Sequence, residues 1–139
     1  MKYILDTNTC IYIIKKRPAE VEKKFREFMP GDIGVSSICL AELNHGIQKS
    51  AKVEENQIGL DEFTLPLIIV PFDESAANEY GKIRAYLERN GTPIGPMDTL
   101  IGAHAKSMDV TLVTNNIKEF ERIPDLKIEN WVNLKRTSY

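Results

Sequence analysis

The sequence predicts an α/β fold, a three-layer α/β/α sandwich whose central, mostly parallel sheet has four to five strands. Three observations carry that expectation. Short apolar or β-branched runs recur at residues 2–5, 32–37, 65–72, 110–116 and 126–131. Between them lie segments of helical period, and strands that alternate with helices make parallel sheets joined by helical crossovers. At 139 residues the chain suits one domain, residues 1–139, with enough length to bury most of its apolar surface.

The first strand is "KYIL". The next stretch, "DTNTCIYIIKK", has Asp6, Thr7 and Asn8 as candidate N-caps and groups Cys10, Ile11 and Ile14 on one helical face. Pro18 suits the first turn of a second helix in which Val21, Phe25 and Phe28 repeat at helical spacing, and Pro30-Gly31 stops it. "DIGVSS" reads as the second strand, after which Ser36 or Ser37 caps a helix with Ile38, Ala41 and Ile47 on its apolar side. A further helix through "EENQIGLDEF" is expected to break or weaken near Gly59. "LPLIIVPF" is a continuous apolar run between prolines, the pattern of a strand covered on both faces. Asp73 caps the clearest helix, with Ala76, Tyr80, Ile83 and Leu87 on one stripe, and Asn90-Gly91 ends it. Pro96 opens "MDTLIGAHAKS", "VTLVTNN" is the next strand, and a short helix at "IKEFERI" leads to the extended piece "LKIENW".

Composition excludes several classes. The chain is 42% hydrophobic and 27% charged, ordinary for a globular protein. Its apolar runs are far shorter than the roughly 20 residues of a membrane helix. The run after Lys2 ends at Asp6, too soon for a secretory h-region, so a cytoplasmic location is expected. Cys10 and Cys39 suggest neither a disulfide framework nor a zinc site and read as reduced core residues. A net charge of −2 provides no global basic field for nucleic acid.

The acidic residues are placed more tellingly. In parallel sheets ligands bind beyond the carboxyl ends of the strands. Asp6 follows strand one, Glu42 sits about a turn into the helix after strand two, Asp98 opens the helix before strand four, and Asn116 and Glu119 follow that strand. Singly, each has a plain reading: a cap, a helix-dipole partner or a solvated surface charge. Collectively they are costly, because two carboxylates about 5 Å apart repel by around 3 kcal/mol at an effective dielectric of 20. Asp98 also lies in an otherwise nearly uncharged run, "PMDTLIGAHA". A hard divalent ion such as Mg²⁺, which takes a few carboxylates and keeps several waters, would offset that cost.

"ILDTN", "SSICLAEL", "GPMDTLIGAHA" and "LVTNNIKEFERI", in this order, resemble the PIN domain of VapC-type toxins over nearly the whole chain. The resemblance implies a PIN-like fold and an acidic quartet holding Mg²⁺ or Mn²⁺ in an endoribonuclease site. By position its members are Asp6, Glu42 and Asp98. Many PIN domains have an Asp where this chain has Asn116, so either Asn116 or Glu119 completes the set, with Glu119 favoured as the acid and Asn116 as an orienting ligand. On this reading Asp6 and Asp98 contact the ion, Glu42 binds it or orients the attacking water, and the ion makes that water acidic while offsetting charge on the phosphate. The resemblance further implies a tRNA or other structured RNA substrate, a VapB-like antitoxin whose tail occupies the acidic cleft, and a homodimer.

Other motifs carry less. Glu42 and His45 form one E-x-x-H without the second copy that a di-iron bundle needs, so His45 reads as a rim residue. His104 reads as a packed core histidine, the basic run at residues 15–17 as a solvated helix end, and Tyr80 and Trp131 as core anchors. Two rival functions remain. "YILDTNT" approaches the D-x-D-x-T opening of haloacid-dehalogenase-like phosphatases, but Asn8 replaces the second Asp. The other is a non-catalytic PIN-like binding module.

Overall fold

A computed structural model describes residues 1–132 and contains five strands in the order β3-β2-β1-β4-β5. They are β1 (Tyr3–Leu5), β2 (Ile33–Ser36), β3 (Ile68–Val70), β4 (Thr111–Val113) and β5 (Ile128–Glu129). Every pairing is parallel: Ile4 lies between Gly34 and Leu112, and Leu5 between Val35 and Val113. The expected α/β architecture is therefore present. Ile4 and Leu5 point to opposite faces, as do Leu112 and Val113, and all four are fully buried, so the sheet is covered on both sides at its centre.

The helices are α1 (Thr7–Lys15), α2 (Ala19–Arg26), α3 (Ser37–Gln48), α4 (Val53–Thr64), α5 (Glu74–Arg89), α6 (Pro96–Met108) and the single turn α7 (Ile117–Phe120). Most of their ends follow the chain's punctuation. Asp6, Ser36 and Asp73 cap α1, α3 and α5 through side-chain oxygens that accept from Thr9, Ile38 and Ala76. Lys16, at φ 58°, closes α1, and Pro96 starts α6 at its first position. Ser36 is at once the last residue of β2 and the cap of α3, so no loop separates that strand from the helix carrying Glu42.

Four local expectations need correction. β3 is an edge strand rather than a doubly covered one, and Ile68 and Ile69 are each more than a third exposed. An apolar run reports a preference for burial, whereas strand order decides which strand receives it. The buried side of α3 is Cys39, Leu43 and Ile47, with Ala41 exposed, because the helix docks that face against β2 and its neighbours α1, α4 and α6. α1 likewise buries Thr9, Cys10 and Ile13, leaving Ile11 and Ile14 half-buried. Finally, α4 runs unbroken through Gly59, where an added Cβ would meet Ile14 at an ordinary contact distance of 3.8 Å.

Three packing features position the site. Gly102 lets α6 approach the α7 region closely: a Cβ there would lie 2.5 Å from Ile123 Cδ1 and 3.5 Å from the Phe120 ring. His104, buried on α6, shares a 2.8 Å hydrogen bond with Ser36 Oγ and meets Phe72 edge-on, joining α6 to the start of α3. Burial keeps its imidazole pKa below the usual value, as expected for a neutral core histidine. Trp131 stacks on Phe28 and meets Tyr3 edge-on, and Phe25 packs on Phe63, so core packing engages both phenylalanines.

Candidate active site

The chain enters the sheet at β1 in its centre, adds β2 and β3 on one side, and then crosses back to add β4 and β5 on the other. Connections leave β1 and β4 in opposite directions, creating a crevice beyond their carboxyl ends. Asp6 stands immediately after β1, and its backbone N–H donates to Val113 O at 3.0 Å, the last residue of β4. Asp6 is only 4% exposed. Its Oδ1 accepts from Thr9 N at 2.8 Å, and the Thr114 hydroxyl also bonds to it. Burial pushes its pKa up, these hydrogen bonds pull it down, and the Glu42 charge adds a smaller upward push. Capping and site membership are thus compatible for Asp6, and it supersedes Thr7 and Asn8 as the cap of α1.

Asp98 is the third residue of α6 and half-buried. Burial raises its pKa from 3.8 to about 6, aided by the charges of Asp6, Glu119 and Glu42 in that order, while a hydrogen bond from the Asn116 side chain opposes the rise. Carboxylates from β1, α3, α6 and α7 therefore act on one another across a single crevice. Glu42 is joined to α1 by Thr7, whose hydroxyl donates to Glu42 Oε1 at 2.6 Å. Asn116 and Glu119 occupy different parts of the site: Asn116 holds Asp98 and donates its backbone N–H to Thr114 Oγ1 at 2.9 Å, and Glu119 contributes charge from α7. His45 is exposed, as is the basic run at residues 15–17.

The donor set is entirely hard oxygen, and burial, aided by the charges of Asp6, Glu119 and Glu42, raises the pKa of Asp98 to about 6, which fits a hard divalent cation and no soft metal. Among the described residues no three histidine, cysteine or acidic side chains are already gathered as a coordination sphere. The carboxylates share a field, and hydrogen bonds from Thr7, Thr114 and Asn116 hold them individually. Sequence reasoning assigned no site contact to Thr9 or Thr114. Only the β1–β4 pairing reveals that they flank a buried carboxylate.

Beside the cluster a groove of about 440 Å³ runs between α1, α3 and α4, from Thr7 and Glu42 along Ile11, Ile14, Ile47 and Leu60. The half-buried isoleucines of α1 thus line a groove that begins at the acidic site. Among the described residues no helix is long and apolar enough to cross a membrane.

This sheet order, with an acidic crevice at the point where it reverses, defines a PIN domain, and the family model of the PIN domain matches residues 3–126. The chain is 47% identical over 132 residues to Ribonuclease VapC2 of Rickettsia felis, covering 94% of this chain and 98% of that protein. It is 44% identical over 131 residues to the tRNA(fMet)-specific endonuclease VapC of Salmonella typhimurium, with the same coverage. The fold superposes with a TM-score of 0.88 on the crystal structure of VapBC2 from Rickettsia felis bound to a promoter DNA fragment, at 46% identity over 94% of this chain and 99% of that one. The chain belongs to the VapC-type toxins of the PIN-domain family. The phosphatase-like opening is accordingly a local coincidence, and Asn8, where that pattern needs its general acid, is exposed.

Proposed function

We propose that the protein is a divalent-cation-dependent endoribonuclease, the toxin of a toxin–antitoxin pair, acting in the cytoplasm on tRNA and specifically on the initiator tRNA(fMet) that its Salmonella relative is named for. The observation that carries this reading is the raised pKa of Asp98, produced by burial together with three further carboxylates at the switch point of the sheet. Asp6 and Asp98 would hold Mg²⁺ or Mn²⁺, with Glu42 and Glu119 completing the negative site and Asn116 keeping Asp98 oriented through its amide. When bound, the ion supplies Lewis acidity toward the phosphodiester and lowers the pKa of water at neutral pH. Glu42, with Oε1 held by Thr7, would orient an attacking water through its other oxygen and accept its proton as the P–O bond to the leaving oxygen breaks. The buried Asp6, fixed by Thr9 and Thr114, changes place little during the reaction and so preserves the geometry of attack.

The groove along Ile11, Ile14, Ile47 and Leu60 is the proposed seat of the antitoxin tail, since an apolar segment lying there would end at Glu42 and close the site. Antitoxin partners are named for the Rickettsia and Salmonella VapBC structures. Like other toxins of this type, the chain is proposed to form a homodimer.

The test is incubation of purified protein with initiator tRNA and total RNA, in Mg²⁺, in EDTA, and as Asp98→Asn. Cleavage is expected only for the wild type in Mg²⁺. Equal cleavage by the variant, or in EDTA, would overturn the proposal. Intact RNA in all arms, with no Mn²⁺ binding by calorimetry, would identify a non-catalytic binding module instead.

A further inference from the structure

We infer that Thr7 is a positioning residue for Glu42: its hydroxyl clamps one carboxylate oxygen and leaves the other to face the acidic crevice. The inference rests on the nuclease reading above, and it adds a role that neither helix formation nor metal binding requires of Thr7.

Thr7 is the first residue of α1, directly after the cap Asp6, so its own side chain is not needed to terminate the helix. It reaches instead across 35 positions to α3, with Oγ1 2.6 Å from Glu42 Oε1. That length falls in the short range of a hydroxyl donating to an ionised carboxylate, the stronger class of hydrogen bond. A hydroxyl has one proton. Because Cys39 Sγ is farther from Oγ1, at 3.5 Å, the proton belongs to Glu42 and the sulfur acts as a packed wall behind the threonine. Cys39 is fully buried and backed by Cys10 Sγ at 3.7 Å, so that wall is firm. The β-branched side chain has few χ1 wells of its own. A glutamate with several free torsions is thereby held by a short, stiff donor.

The consequence is geometric. Asp6 and Glu42 come from different elements, β1–α1 and α3, and the Thr7 hydrogen bond ties those elements together one residue from Asp6. It fixes both where Glu42 stands and which of its oxygens remains available. Neighbours that orient metal-site carboxylates typically change metal affinity by 10–100-fold when removed, and displacements of about 1 Å can cost on the order of 100-fold in rate.

The experiment compares wild type, Thr7→Val, Thr7→Ala and Thr7→Ser by Mn²⁺ calorimetry, by kcat and KM for RNA cleavage, by thermal unfolding, and by metal-free crystal structures. Val keeps the shape without the hydroxyl, Ala removes both, and Ser restores the hydroxyl alone. Val and Ala are expected to weaken Mn²⁺ binding about tenfold and to lower kcat by about 10–100-fold with KM nearly unchanged. Ser is expected to recover most of the Mn²⁺ affinity. In the metal-free Val structure Glu42 should leave the position it holds in the wild type. Thr7→Val with wild-type Mn²⁺ affinity and kcat, or with Glu42 in its wild-type position, would overturn the inference, as would a Ser variant no better than Val. If wild-type protein binds no Mn²⁺, the nuclease reading fails, and the metal-free position of Glu42 alone decides the role of Thr7.

Discussion

Replacing Asp98 by Asn should make the metal-free protein more stable at neutral pH while abolishing cleavage. Asp98 has a folded pKa of about 6 against an ordinary value of 3.8, because it is buried among Asp6, Glu119 and Glu42. For an acid shifted upward, the folded state holds the proton more tightly than the unfolded chain does. Stability is therefore lost as the pH rises from about 4 to about 6, and the ionised carboxylate is a burden above that window. At about 1.4 kcal/mol per pH unit, the displacement corresponds to about 3 kcal/mol in full. Asp98 is only half-buried, so solvent screening reduces this to about 1–2 kcal/mol. Asn also forgoes the favourable meeting of a carboxylate with the N-terminus of α6, worth about 0.3–1 kcal/mol. The net expectation is a gain of about 1 kcal/mol at pH 7 in EDTA, seen as a rise of about 2–4 °C in Tm for a domain of this size. Urea unfolding of both proteins at several pH values checks it. The gain should shrink as the pH falls through 6 and be mostly gone near pH 4, where the wild-type side chain is already protonated. A variant less stable than wild type at pH 7, or equally favoured at both extremes, would refute the account of the site as a cluster of repelling carboxylates.

Further outcomes follow from the same geometry. Mn²⁺ affinity should fall as the pH drops below about 6, where Asp98 takes up its proton, and calorimetry between pH 5 and pH 7.5 measures this directly. Asn116→Asp removes the hydrogen bond that restrains Asp98 and adds a charge, so it should tighten Mn²⁺ binding by about tenfold while lowering metal-free stability, read by calorimetry and by Tm in EDTA. Gly102→Ala must displace the Ile123 side chain where α6 meets the α7 region, which should cost about 1–3 kcal/mol in urea unfolding and loosen Asp98 against Glu119.

The sequence by itself determined the class of fold and most of the helix ends, and it named carboxylates that the fold brings to one crevice. Those features are local. A side-chain cap, a left-handed Gly91, a proline at the first turn of α6 and the alternation of strands with helices are each written within a few neighbouring residues. Four separated carboxylates could be suspected because the rule that ligands bind beyond strand ends needs only element order. Several things were legible only in three dimensions. The run "LIIV" reads as a central strand, yet β3 lies at the edge because the order 3-2-1-4-5 leaves it there. The buried faces of α1 and α3 are chosen by how each helix docks on the elements around it, so they differ from the ones periodicity suggests. The separate parts of Asn116 and Glu119, the grip of Thr114 on Asp6 and that of Thr7 on Glu42 all depend on contacts between distant segments. Strand order and helix docking are non-local and arise from the burial of many side chains at once, so only the assembled fold could decide which polar atoms meet.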